Sequence, residues 1–176
     1  MTWEFAFLDA LQNIRTPLLD AFFEFVTHLG DGGYFWIALA IIFCISKKTR
    51  VWGICMLASL AVGALITNVT LKPLVARQRP CWINETVELL IAMPHGYSFP
   101  SGHSQGSFVA ATALFWNNKK WGIPALILAA LIAFSRLYLY VHFPTDVLAG
   151  SLIGIGVGTI ITWAIRNRVL PHFNRM

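Results

Sequence analysis

Lys72, Arg79, His103, Arg136, His142 and Asp146 all lie at the edges of long apolar runs. Ionisable groups placed there are costly and mark function by default. They fall in three segments: Lys72-Pro-Leu-Val-Ala-Arg-Gln-Arg79-Pro80, Phe99-Pro100-Ser101-Gly102-His103, and Ser135-Arg136 followed by His142-Phe-Pro-Thr-Asp146. Lys72, Arg79 and Arg136 supply positive charge, and the arginine forks suit phosphate oxygens. Ser101-Gly102 stands where a helix is expected to begin, so its backbone N–H groups and the positive end of the helix dipole can hold an anion. Gly102 lets the backbone come close to it. His142 and Asp146 are four apart and share a face if a helix starts there. A carboxylate that fixes one imidazole nitrogen leaves the other free to attack. His103, which titrates near neutrality, is then the general acid for the leaving group. These residue types describe an oxyanion site built around a nucleophilic histidine.

The elements that must position these residues are membrane helices. Of 176 residues, 57% are hydrophobic and 12% charged, and the mean hydropathy is +0.65. Soluble domains carry about 25% charged residues, so the excess apolar surface must face lipid. Disorder, a collagen-like fibre and a disulfide-stapled secreted domain are excluded. Cys44, Cys55 and Cys81 show neither disulfide-framework nor zinc-ligand spacing. The expected fold is an all-α polytopic bundle, residues 1–176 forming one domain. Its membrane core, 31–166, has five helices near 31–47, 52–72, 101–118, 121–141 and 146–166. Lipid demands helices or closed barrels, and these runs lack the alternation of barrel strands. Residues 1–30 read as two amphipathic helices at the membrane surface, the second capped by Thr16-Pro17. The alternative is a sixth crossing, with the Asp20, Glu24 and His28 stripe turned inward.

Charge orients the bundle. With five crossings one side receives Lys47, Lys48, Arg50, Lys119, Lys120, Arg166, Arg168 and Arg175 and no acid. The positive-inside rule makes that side cytoplasmic, with residues 167–176 as a cytoplasmic tail. The opposite side receives every acid together with all three chemical segments. The chain is therefore expected in the cell membrane as a multi-pass protein with an extracytoplasmic site. The net charge of +5 reflects this topology and does not imply nucleic acid.

The three segments resemble the motifs of the type 2 phosphatidic acid phosphatase (PAP2) superfamily, K-x6-R-P, P-S-G-H and S-R-x5-H-x3-D. All three are matched in full and in order between residues 72 and 146. That superfamily also includes glucose-6-phosphatases and vanadium haloperoxidases. The resemblance implies a phosphohistidine on His142, with Asp146 as its orienter and His103 protonating the leaving oxygen. Lys72, Arg79, Ser101, Gly102 and Arg136 would hold the phosphoryl group. It implies no metal and no cofactor. The substrate would be a membrane lipid phosphate or diphosphate, such as undecaprenyl pyrophosphate, phosphatidylglycerol phosphate or phosphatidic acid.

Two rival functions share this site: vanadium-dependent halide oxidation, and non-catalytic binding or transport of lipid phosphates. A carrier would survive loss of His142, whereas a phosphatase would not. The sequence is silent on oligomeric state. Other polar residues have plainer readings. Arg77 is expected to snorkel to the headgroups, and His28 and His95 to lie at the surface. Gly150, Gly154 and Gly158 are spaced for close helix packing.

Overall fold

The computed structural model describes residues 2–169. In chain order its helices are α1 (Thr2–Gln12), α2 (Pro17–His28), α3 (Tyr34–Ile45), α4 (Arg50–Ala64), α5 (Lys72–Val75), α6 (Pro80–Ile83), α7 (Gly102–Asn117), α8 (Lys119–Tyr138) and α9 (Pro144–Ala164). A 3-10 turn, Asp31–Gly33, joins α2 to α3. π-helical turns over Leu65–Leu71 and Ile165–Val169 continue α4 and α9. There is no strand among the described residues. Of the tail expected at 167–176, residues 170–176 lie outside the described residues.

Local chemistry sets the helix starts. Thr16 Oγ1 accepts the Leu19 N–H at 3.3 Å, and Pro17 follows at the first helical position. Asn118 caps α8 through the Trp121 N–H, and Ser101 caps α7 through the Ser104 N–H. Three stretches are long and apolar enough to cross a bilayer alone: Arg50–Ile83, Lys119–Tyr138 and Pro144–Arg168. α2 and the Asp31–Ile45 stretch pass the same test only as a pair, bent by 43° where they meet. α7 occupies the place expected at 101–118, but its 16 residues reach only about 24 Å, less than a hydrocarbon core of about 30 Å.

α7 is the centre of the bundle, flanked by α4, α8 and α9. Its buried face is mostly small or polar, Ser104, Gln105, Ser107, Ala110, Ala111, Thr112 and Ala113, with Val109 and Leu114 as the larger apolar members. Many large apolar side chains of the bundle point outward, Ile45, Leu65, Val69, Ile127, Leu148 and Ile160 among them, while Trp36, Met56, Leu114 and Ile132 fill the interior. In lipid, helices gain little from burying such groups and associate through close backbone approach. Gly150, Gly154 and Gly158 provide that approach, as their spacing predicts. A Cβ on them would stand 2.5, 2.6 and 2.7 Å from the carbonyl oxygens of Ser101, Gln105 and Val109. α9 is thereby pressed against the start of α7, bringing the second and third segments together.

The N-terminal pair is fastened to the bundle more tightly than a surface position requires. Leu8 and Leu11 bury against Leu137, Tyr140 and Phe143, and Glu4 is 4% exposed. The expected polar stripe of α2 is divided. Asp20 turns inward to Arg15 and accepts the Tyr138 hydroxyl at 2.6 Å, while Glu24 stays exposed.

Candidate active site

The site forms where the turn after α5, the segment before α7 and the α8–α9 connection meet. Ala76, in the left-handed region at φ 48°, ends α5 and turns the chain so that Arg77 and Arg79 enter the bundle. His142 lies in the short connection between α8 and α9 and is 1% exposed. Its Nε2 is 3.1 Å from Arg79 Nη1. The same guanidinium donates to the carbonyl oxygens of Val141 and Gly96 at 2.9 and 2.8 Å. Burial, reinforced by the Arg79 and Arg136 cations, pushes the His142 imidazole well below its ordinary 6.5. It is held neutral at physiological pH, the form in which Nε2 carries a lone pair.

On the other side of the ring, the orienting contact differs from the direct carboxylate–imidazole bond expected from their spacing. Asp146 Oδ2 is 3.7 Å from His142 Nδ1. The Ser98 hydroxyl stands between them, 3.2 Å from Nδ1 and donating to Oδ2 at 2.5 Å. The reason lies in the helix start. Asp146 Oδ2 also accepts the Phe143 N–H at 2.9 Å, so capping α9 draws the carboxylate toward the backbone and opens a gap that one hydroxyl fills. Asp146 Oδ1 is taken by Arg77 Nη1 at 2.6 Å.

Arg77 is thus no snorkelling residue. Besides Asp146 it donates to Glu4 Oε2 at 2.6 Å and Thr145 Oγ1 at 2.7 Å, and its guanidinium stacks 4.0 Å above the Phe143 ring. Glu4 in turn accepts the Thr145 hydroxyl at 2.7 Å. Sequence reasoning missed Ser98 and Glu4 and gave Arg77 a lesser part. Glu4 did carry a signal, being an acid inside the apolar stretch Trp3-Glu4-Phe5.

The remaining predicted residues are placed as follows. Arg136, 3% exposed, donates to Thr27 Oγ1 at 2.5 Å, and its Nε has no partner. Lys72 lies over the start of α7; a Cβ on Gly102 would stand 3.6 Å from its ammonium. Ser101 is engaged within the chain. Its N–H bonds the Asp146 carbonyl at 3.0 Å, and its hydroxyl accepts from Ser104. The amides of Gly102 and His103 are left at the open first turn of α7. His103 lines a cavity of about 250 Å³ with Gly30, Gly33, Asn68, Lys72 and Gln105, and its Nε2 meets Asp31 Oδ1 at 2.9 Å.

Among the described residues, Lys72, Arg79 and Arg136 form no ion pair with a carboxylate. Two of the three are buried, and a buried cation without an acid is destabilising unless an anion from outside joins it. Apolar on its outside and cationic around one neutral imidazole, the bundle holds a pocket suited to an anion. Residues 52–170 match the PAP2 superfamily, and the chain belongs to that family. It is 36% identical to the undecaprenyl-diphosphatase of Sulfolobus acidocaldarius over 122 residues, 69% of this chain and 59% of that protein. It is 33% identical to undecaprenyl-diphosphatase BcrC of Bacillus subtilis over 148 residues, 82% of this chain and 74% of that one. The crystal structure of the transmembrane PAP2-type phosphatidylglycerolphosphate phosphatase from Bacillus subtilis aligns with a TM-score of 0.78 at 30% identity. The alignment covers 95% of this chain and 86% of that one.

Proposed function

We propose that this protein is a membrane-embedded phosphatase that removes the terminal phosphoryl group of a lipid phosphate or diphosphate through a phosphohistidine on His142. The observation that carries this reading is the set of three cations without acidic partners gathered around a neutral imidazole. Arg79, Arg136, Lys72 and the first-turn amides of α7 bind the phosphoryl oxygens, and they stabilise the charge that spreads over them in the transition state. His142 Nε2 attacks in line, and His103 protonates the departing oxygen. Asp146 and Ser98 hold the His142 ring. The curated relatives act on undecaprenyl diphosphate by name, and the aligned structure on a phosphatidylglycerol phosphate. Polyprenyl diphosphates and glycerolipid phosphates are accordingly the substrate classes.

The topology follows from the same arrangement. α2 and α3 together make the first crossing, followed by α4, α7, α8 and α9, five in all. The site then lies on the face opposite Lys47, Lys48, Lys119 and Lys120, outside the cytoplasm by the positive-inside rule. The shortness of α7 agrees with a site sunk below the outer surface, where a lipid headgroup can reach it from the side.

Phosphate release measured on undecaprenyl diphosphate, phosphatidylglycerol phosphate and phosphatidic acid, with purified protein in EDTA, tests the reading. Turnover of at least one compound at full rate in chelator is expected. Activity that vanishes in EDTA and returns with a divalent metal would overturn the metal-free mechanism. Ser98→Ala supplies a finer check. Hydrogen bonds to charged groups contribute roughly 1.5–3 kcal/mol, so kcat should fall about 10- to 100-fold with KM little altered. An unchanged kcat would mean that Asp146 orients His142 without the serine.

A further inference from the structure

We propose that Asp31 is the positioning residue of the leaving-group step, fixing the tautomer and direction of His103; the proposal rests on the phosphatase reading above. The 30–33 turn is shaped around this histidine. A Cβ on Gly30 would stand 2.6 Å from His103 Cδ2 and 2.8 Å from Ile132 Cγ2, so only glycine lets the backbone lie against the ring. Gly32 and Gly33 follow at φ +56° and +70°, a left-handed pair that L side chains rarely adopt. They turn the chain from α2 into α3 directly after Asp31. The result aims Oδ1 at His103 Nε2, 2.9 Å away. The second oxygen, Oδ2, meets His28 Nδ1 at 2.7 Å, holding the carboxylate at both ends. His103 Nδ1 has no hydrogen-bond partner among the described residues, and the residue lines the 250 Å³ cavity.

This geometry dictates a proton path. With Nε2–H committed to Asp31, the mobile proton of the imidazolium is the one on Nδ1. As the bond from His142 Nε2 to phosphorus forms and the bond to the leaving oxygen breaks, that oxygen keeps the electron pair and takes the Nδ1 proton. His103 is left neutral, with its lone pair on Nδ1. In the second half, Nδ1 accepts a proton from water as the water oxygen bonds phosphorus. The P–N electron pair returns to His142 and the imidazolium of His103 is restored. Without Asp31 the neutral ring could carry its proton on either nitrogen, and half of the orienting restraint would be lost.

The test compares two leaving groups. Dodecyl phosphate departs as a basic alkoxide that needs a proton; 4-nitrophenyl phosphate departs as a stable aryloxide that does not. In Asp31→Ala, kcat/KM on dodecyl phosphate should fall about 30-fold, part of the roughly 10²–10⁴-fold that a positioned general acid contributes. On 4-nitrophenyl phosphate, kcat/KM, which reports the phosphorylation half alone, should change less than about threefold, because general-acid help scales with the need for it. The second half, with His103 as base, is common to both compounds and enters only kcat, so the losses are compared in kcat/KM. Equal losses on both compounds, the pattern of a merely damaged fold, would overturn the proposal. A second measurement adds Asp31→Ala to His103→Gln. If Asp31 acts through His103, the double variant is no slower on dodecyl phosphate than His103→Gln alone; additive losses would reject the coupling. Wild-type protein that hydrolyses neither compound would instead overturn the phosphatase reading itself.

Discussion

Phosphate release by the His142→Ala protein should fall by about 10⁴-fold or more, since loss of a covalent nucleophile removes the reaction path itself. Binding of the lipid phosphate should persist. Lys72 and Arg79 come from the first segment and Arg136 from the third. Arg79 and Arg136 are also held by the Val141 carbonyl and the Thr27 hydroxyl, contacts that do not need the imidazole. The methyl side chain would leave a gap beside Ser98 and Arg79, so His142→Gln, closer in volume, guards against collapse of the pocket. Rapid acid-free quenching of wild-type protein with a radiolabelled terminal phosphate should trap label on the chain in an acid-labile, base-stable form. Neither variant should retain any. Because burial keeps His142 neutral, trapping should succeed without prior loss of a proton from this ring. Steady turnover in His142→Ala would remove the histidine from the mechanism and put the nucleophile elsewhere.

How much of this was legible in the sequence depends on the range of the interaction. The ends of α7, α8 and α9 fall within about three residues of their expected places, because Ser101, Asn118 and Pro144 act on their own first turns. The membrane class followed from composition alone, and the three segments could be grouped because each abuts an apolar run. The first crossing was harder. α3 has only 12 residues, and the glycine turn that joins it to α2 reads as a boundary, whereas the two stretches are long and apolar enough for a bilayer only as a pair bent by 43°. Ser98, Glu4 and Asp31 were out of reach for another reason. Their partners His142, Arg77 and His103 lie 44, 73 and 72 positions away, and no local periodicity encodes such pairings. Spacing did bring Asp146 to His142, yet the hydroxyl between them depends on how the 98–100 segment crosses the start of α9.

Arg77→Met should be the most damaging change among residues that never touch the substrate. Asp146 is fully buried, and Arg77 is the sole cation paired with it among the described residues, since the nearby His142 is neutral. Methionine keeps most of the volume over the Phe143 ring but leaves the carboxylates of Asp146 and Glu4 facing one another without a counter-charge. Breaking one side of a buried ion pair costs about 3–5 kcal/mol. For a chain of this size that lowers the thermal midpoint by roughly 6–20 °C. Turnover should fall with it, because a carboxylate in that position either takes up a proton or swings toward Arg79, and both responses release the Ser98–His142 contact. Glu4→Gln separates the two consequences. It leaves Arg77 on Asp146 and keeps an acceptor for Thr145, so stability should drop less and kcat should stay near that of the wild type. Adding Asp146→Asn to Arg77→Met removes the stranded charge, and the midpoint should recover in part while activity does not. If the midpoint and kcat of Arg77→Met both matched the wild type, the link from α1 through Arg77 to the catalytic histidine would be without energetic weight. The histidine would then be held by Ser98 and Arg79 alone.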